Sequence, residues 1–177
     1  MISQKRIKQA HNNFSHYLNE GLLKKQANNT AKEMYLSNAQ LSLKVAEKLI
    51  NDELKPFLWV IVCSYYSMFY MANAFLLHLG FKTSDAIVHK VTSDALIVLA
   101  LDKLKKELID EYEDTRDAAL EISAVKAEAI IQNYDYERAK RSRFQYEMPN
   151  SVKQAKAVTS LKRAKEFLFE MRKLVMT

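Results

Sequence analysis

From Phe57 to Leu79 the chain runs without an Asp, Glu, Lys or Arg, in the sequence FLWVIVCSYYSMFYMANAFLLHL. A helix of about 20 apolar residues spans a bilayer, so the run is either a membrane helix or the centre of a packed bundle. Its polar residues decide between the two. Ser64, Tyr65, Tyr66, Ser67, Tyr70, Asn73 and His78 are too costly to scatter through hydrocarbon without partners. They also follow helical order. Ser64, Ser67, Met71, Ala74 and His78 form one stripe, while Tyr65, Phe69, Ala72, Leu76 and Leu79 form another. A small, polar stripe beside a bulky one suits a central helix with several neighbours and no membrane.

The remainder of the chain gives that helix its neighbours. Its 177 residues are 49% hydrophobic and 27% charged, enough for one domain with its own core. Two Gly and two Pro leave few places for hairpin turns, which points to an all-α fold. A first helix is expected over Ser3–Lys24, with Ile7, Phe14, Tyr17 and Leu18 on one side, then a break at Gln26–Asn29. Thr30 and Glu33 have capping-box spacing, so a second helix starts at Ala31 and places Met34, Leu41, Val45, Leu49 and Ile50 on one stripe. Pro56 and Gly80 bound the third. Ser84 or Asp85 caps a fourth through Leu99, and Asp102 opens a fifth that reaches Tyr134 with Leu104, Leu108, Tyr112, Ala119, Ile122, Ala129 and Ile130 inward. Asp135–Asn150 reads as a partly irregular connector, and Ser151 with Gln154 starts a last helix to Val175. The expected architecture is an up-and-down helical bundle of five or six helices.

Charge is uneven. Lys and Arg outnumber Asp and Glu by 11 to 4 from Tyr136 to Thr177, and the balance is 5 to 9 from Asp102 to Ile130. Such a distribution attracts an anionic partner such as RNA, or lets helices complement one another. The lone Cys63 allows no internal disulfide, and MISQKRIKQAHNNF lacks the apolar stretch of a secretory leader, so a cytoplasmic protein is expected. His11, His16, His78 and His89 form no HExxH or Cys–His cluster, so neither metal nor another cofactor is expected. The absence of a glycine-rich loop excludes a P-loop or dinucleotide fold. The carboxylates Asp110, Glu111, Glu113, Asp114 and Asp117 read as a solvated helix face.

Two segments retain chemical interest. One runs from Lys82, Thr83 and Ser84 to His89 and Lys90; the other holds Arg138, Lys140, Arg141, Arg143, Phe144 and Tyr146. Guanidinium groups pair with phosphate oxygens, and rings stack on unpaired bases, so cations interleaved with aromatics suit RNA. The same residues also suit a surface of Arg–Glu pairs with tyrosines anchored in the core. Tyr65, Tyr66 and Tyr70 carry the same alternatives, a nucleotide pocket or core filling.

The stretch SYYSMFYMANAFLLHLGFKTSDAIVHKV, followed downstream by Arg141-Ser-Arg143-Phe-Gln-Tyr146, resembles the signature of small prokaryotic HEPN-domain proteins. The resemblance covers roughly Ala31 to Val175 and makes residues 1–30 an N-terminal helical extension of a HEPN-like domain over 31–177. It implies a four-helix core, a homodimer, and a partner of the minimal nucleotidyltransferase type. It further implies binding of RNA or a nucleotide within a toxin–antitoxin or defence pair, often with metal-independent RNase activity. The family's catalytic pair is Arg followed four to six residues later by His. Here no His follows Arg138, Arg141 or Arg143, and the one match, Arg6 to His11, lies in the extension. The binding residues implied are Lys82, Thr83, Lys90, Arg138, Arg141, Arg143 and Tyr66. An active RNase would draw on Arg143 with His89 or Tyr146. A non-catalytic adaptor docking on an acidic protein is the remaining alternative.

Overall fold

A computed structural model describes residues 2–132 and 149–176, the side chains of 124–132 excepted. Six helices are described: α1 (Gln4–Asn19), α2 (Asn29–Leu49), α3 (Phe57–His78), α4 (Val88–Ala100), α5 (Lys106–Gln132) and α6 (Asn150–Val175). The expected all-α bundle is what the chain forms. It carries one small addition, strands β1 (Leu23–Lys25) and β2 (Phe81–Thr83).

α3 sits at the centre and packs against α2, α4, α5 and α6. Its residues are apolar nearly all round, and a helix of that kind finds no favourable exposed face. By length and composition it is able to cross a membrane, yet 83% of its most apolar window is buried within the bundle. Val60, Ile61, Tyr65, Met68, Ala72 and Leu76 are sealed from solvent. Tyr112 of α5 and Phe167 of α6 stack beside them with centroids 5.4 Å apart.

Local signals shift several boundaries. Asn28, not Thr30, caps α2, its side chain accepting from the Ala31 N–H at 2.9 Å. Asn serves that role at least as well as Thr and lets the helix begin two residues earlier. The Met34, Leu41 and Val45 stripe of α2 faces solvent, and small Ala39 and Ala46 are the buried pair. Close approach to α3 favours alanines over bulk. α1 ends at Asn19, short of Lys24, because Gly21 turns the chain at φ +68° into β1. Gly80 does the same after α3 at φ +79°. The two turns deliver antiparallel strands with Leu23 opposite Thr83, Lys24 opposite Lys82 and Lys25 opposite Phe81. Neither Ser84 nor Asp85 caps α4; the helix starts after Ile87, which holds a left-handed conformation at φ +44°. α5 starts at Lys106 and not at Asp102, since the Lys103 and Leu104 N–H groups still bond back to the Ala100 carbonyl.

Residues 2–30 pack closely on the rest. α1 lies on α4, where Ala10, Ile97 and Ile109 form a small second core.

Candidate functional site

His89 stands in the first turn of α4, and its position is set from α3. The Tyr65 hydroxyl lies 2.7 Å from His89 Nδ1, and the Phe69 ring packs on the imidazole with centroids 4.7 Å apart. Tyr65 is fully buried, and burial pushes its pKa far up, followed by the effect of the neighbouring Tyr112 hydroxyl. Tyr65 therefore keeps its proton. The Tyr112 ring lies 5.9 Å from that of Tyr65. In the tautomer in which Tyr65 donates to Nδ1, the imidazole proton sits on Nε2. Burial first, and the Arg116 charge second, lower the His89 pKa below its ordinary value. The ring is neutral at pH 7 and presents an N–H donor.

That ring borders a cleft of about 480 Å³ between α1, α4 and α5. Arg6, Gln9 and Asn13 come from α1, His89, Lys90 and Asp94 from α4, and Arg116 and Leu120 from α5. Ile87 completes the lining. Its positive φ is costly for a β-branched side chain, and such strain gathers at sites of function. The amide end of α4 adds positive potential beside His89 and Lys90.

A charged network closes one wall. Arg6 is held by Asp94 and by Glu113, the latter at 2.6 Å. Asp94 is buried and also accepts from Asn13 Nδ2 and from the Tyr17 hydroxyl, each at 2.8 Å. Glu113 accepts from Ser93 at 2.8 Å and lies 3.3 Å from Arg116, whose guanidinium pairs with Asp117 at 2.7 Å. Burial alone would raise the Glu113 pKa, but the hydrogen bonds from Arg6 and Ser93 outweigh it and the net shift is downward. Burial likewise opposes the charge on Arg6 and Arg116, and their carboxylate partners reverse the effect. Much of the arginine charge is thus met within the protein. Lys90 is exposed and makes no ion pair among the described residues. Together the groups offer an anion an imidazole and an exposed ammonium, with Arg116 in the same lining.

His89 and Lys90 both line this cleft. Tyr66 is half-buried beside them, its ring 6.0 Å from His89 and 5.8 Å from Tyr70. Thr83 is turned toward the bundle, donating to Asn73 Oδ1 at 3.0 Å. Lys82 is exposed on β2 opposite Lys24. Arg138, Arg141, Arg143 and Tyr146 lie outside the described residues. Arg6 lines the cleft, whereas His11 is exposed and does not. Arg116 was missed because it sits in an acidic run that reads as a solvated face. The signal that would have found it is spacing: Arg116 lies one turn from both Tyr112 (i,i+4) and Glu113 (i,i+3). Among the described residues no group of three His, Cys, Asp or Glu is placed to hold a metal ion. Cys63 is half-buried, and burial pushes its thiol pKa up, away from the reactive thiolate.

No family model, curated protein or solved structure matches this chain.

Proposed function

We propose that this protein is a HEPN-like bundle that binds RNA or a nucleotide through phosphate at the His89 cleft, as one component of a toxin–antitoxin or defence-type pair. The observation that carries this reading is His89 itself. A buried tyrosine fixes the ring, its pKa is lowered, and it borders a cleft shared with Lys90 and Arg116. A neutral donor beside a lysine suits a phosphate oxygen. The order of the Tyr-Tyr helix, basic loop and His-Lys pair supports the family. A homodimer, a nucleotidyltransferase-type partner and a cytoplasmic setting belong to the same proposal.

A metal-independent endoribonuclease is the second reading, favoured by the depressed His89 pKa, which keeps the imidazole neutral and able to accept a proton from a ribose 2′-hydroxyl. To act as that base through Nε2, the ring must carry its proton on Nδ1, toward Tyr65. No His follows Arg138, Arg141 or Arg143 at the family's spacing, so binding without cleavage is the expectation. The test is incubation of the purified protein with mixed tRNA and single-stranded RNA in EDTA, beside an anisotropy assay at several salt concentrations. Salt-sensitive binding that weakens about tenfold in Lys90→Ala, with RNA intact, is the expected result. Cleavage abolished by His89→Ala would establish the nuclease. Neither binding nor cleavage would refute both readings.

A further inference from the structure

A second concavity, of about 320 Å³, lies between α2 and α6 and shares no residue with the His89 cleft. Leu43 of α2, Met71 of α3 and Leu168 of α6 give it an aliphatic floor. Phe169 stands at its edge, 65% exposed, with Lys173 Nζ 4.2 Å from the ring centroid. An exposed ring at the edge of a concave surface with an apolar floor offers an anchor for a partner. Lys44, Lys165 and Arg172 rim the groove. The lining carboxylate, Glu47, is already paired with Lys165 at 2.7 Å.

Dimensions and charge select the occupant. The lining runs from Gln40 to Glu47 on α2 and from Lys165 to Arg172 on α6, about two helical turns or roughly 10 Å on each side. A two-turn groove with an apolar floor is matched by one helix with anchors at i, i+4 and i+7. Of the groove's own charges Glu47 and Lys165 pair with each other, while Lys44 and Arg172 make no ion pair among the described residues, so the complementary helix is acidic. Nucleic acid fits less well, because bases stack on planar groups and the lining holds a single ring, Phe169, already approached by Lys173. A two-fold contact of α6 with its own copy would set like charges together. We propose that this groove receives one amphipathic helix of an acidic protein partner, its apolar side on Leu43, Leu168 and Phe169 and its carboxylates at Lys44 and Arg172.

The test uses the full chain and three fluorescein-labelled peptides of about five helical turns. One has Leu at the anchor positions and Glu on both flanks, the second replaces Glu with Lys, and the third scrambles the anchors. The Glu-flanked peptide should bind. Phe169→Ser should weaken it about tenfold or more. The double variant Lys44→Glu/Arg172→Glu should lose it and gain the Lys-flanked peptide. Both variants alter exposed side chains, and circular dichroism checks that each remains folded. No binding of the Glu-flanked peptide, equal binding of all three, or indifference to both variants would overturn the proposal. So would finding that Phe169→Ser abolishes RNA binding, binding to phosphatidylserine vesicles, or self-association by sedimentation while peptide binding persists.

Discussion

Replacing Arg6 with Ala removes the cation that joins α1 to α4 and α5, and its cost follows from burial. The Arg6 side chain is 23% exposed, Glu113 15% and Asp94 1%. Removing one member of a buried ion pair costs about 3–5 kcal/mol, because the partner stays behind uncompensated. Asp94 keeps the Asn13 and Tyr17 donors, and Glu113 keeps Ser93 and Arg116. Those bonds move the expected loss to the lower end, about 3 kcal/mol. In a domain of this size such a loss lowers the melting temperature by about 6–12 °C. Urea unfolding followed by circular dichroism should show a lower midpoint with an unchanged slope. Lys162→Ala is the control: its pair with Glu166 is exposed and 4.0 Å long, so it should cost less than about 0.5 kcal/mol. The acid limb supplies an independent reading. The Glu113 pKa is lowered by folding, so its contribution is complete above the unfolded carboxyl value of about 4.3 and is lost as pH falls through the folded one. Arg6→Ala should flatten that loss. A cost for Arg6→Ala no larger than the control's would refute the reasoning and make α1 a peripheral attachment.

Two further predictions concern the cleft and its approaches. Burial and Arg116 both hold His89 neutral, so NMR titration should place its pKa below 6.5, and Arg116→Ala should raise it while leaving it short of that value. Because folding lowers this pKa, the contribution of His89 to stability is complete above about pH 6.5 and falls as the pH drops through the folded value; an Arg116→Ala pKa equal to the wild type's would contradict the electrostatics. Positive φ angles at Gly80 and Ile87 predict opposite outcomes in denaturant melts. Gly80→Ala should cost about 1–2 kcal/mol although no atom lies within 4 Å of the added Cβ, whereas Ile87→Asn should stabilise by about 1 kcal/mol because Asn tolerates the left-handed region.

The helices were legible because their signals are local. Uncharged α3, the glycine at position 80 and the helical spacing of Leu108, Tyr112, Ala119 and Ile122 all act within a few turns. The two-residue shift of α2 reflects two competing caps in one short segment, and propensity does not rank Asn28 against Thr30 strongly. The α2 stripe went outward because stripe position alone does not say which neighbour comes closest; alanines at 39 and 46 let α3 approach. The β1–β2 ribbon pairs residues nearly sixty positions apart, and three-residue strands leave no periodic trace. The cleft was half legible. His89 and Lys90 stood out beside the tyrosine helix, while Arg6, Asp94, Glu113 and Arg116 come from three helices and become neighbours only in the folded chain.

The most direct measurement is histidine-selective ¹⁵N NMR of the full chain during titration with a single-stranded RNA oligonucleotide. Phosphate binding at the cleft predicts a saturable change at His89 Nε2, little change at exposed His11 and His16, and loss of the effect in Lys90→Ala. RNA that binds while leaving His89 Nε2 unmoved would contradict the assignment of the site, and RNA that does not bind would contradict the proposed function.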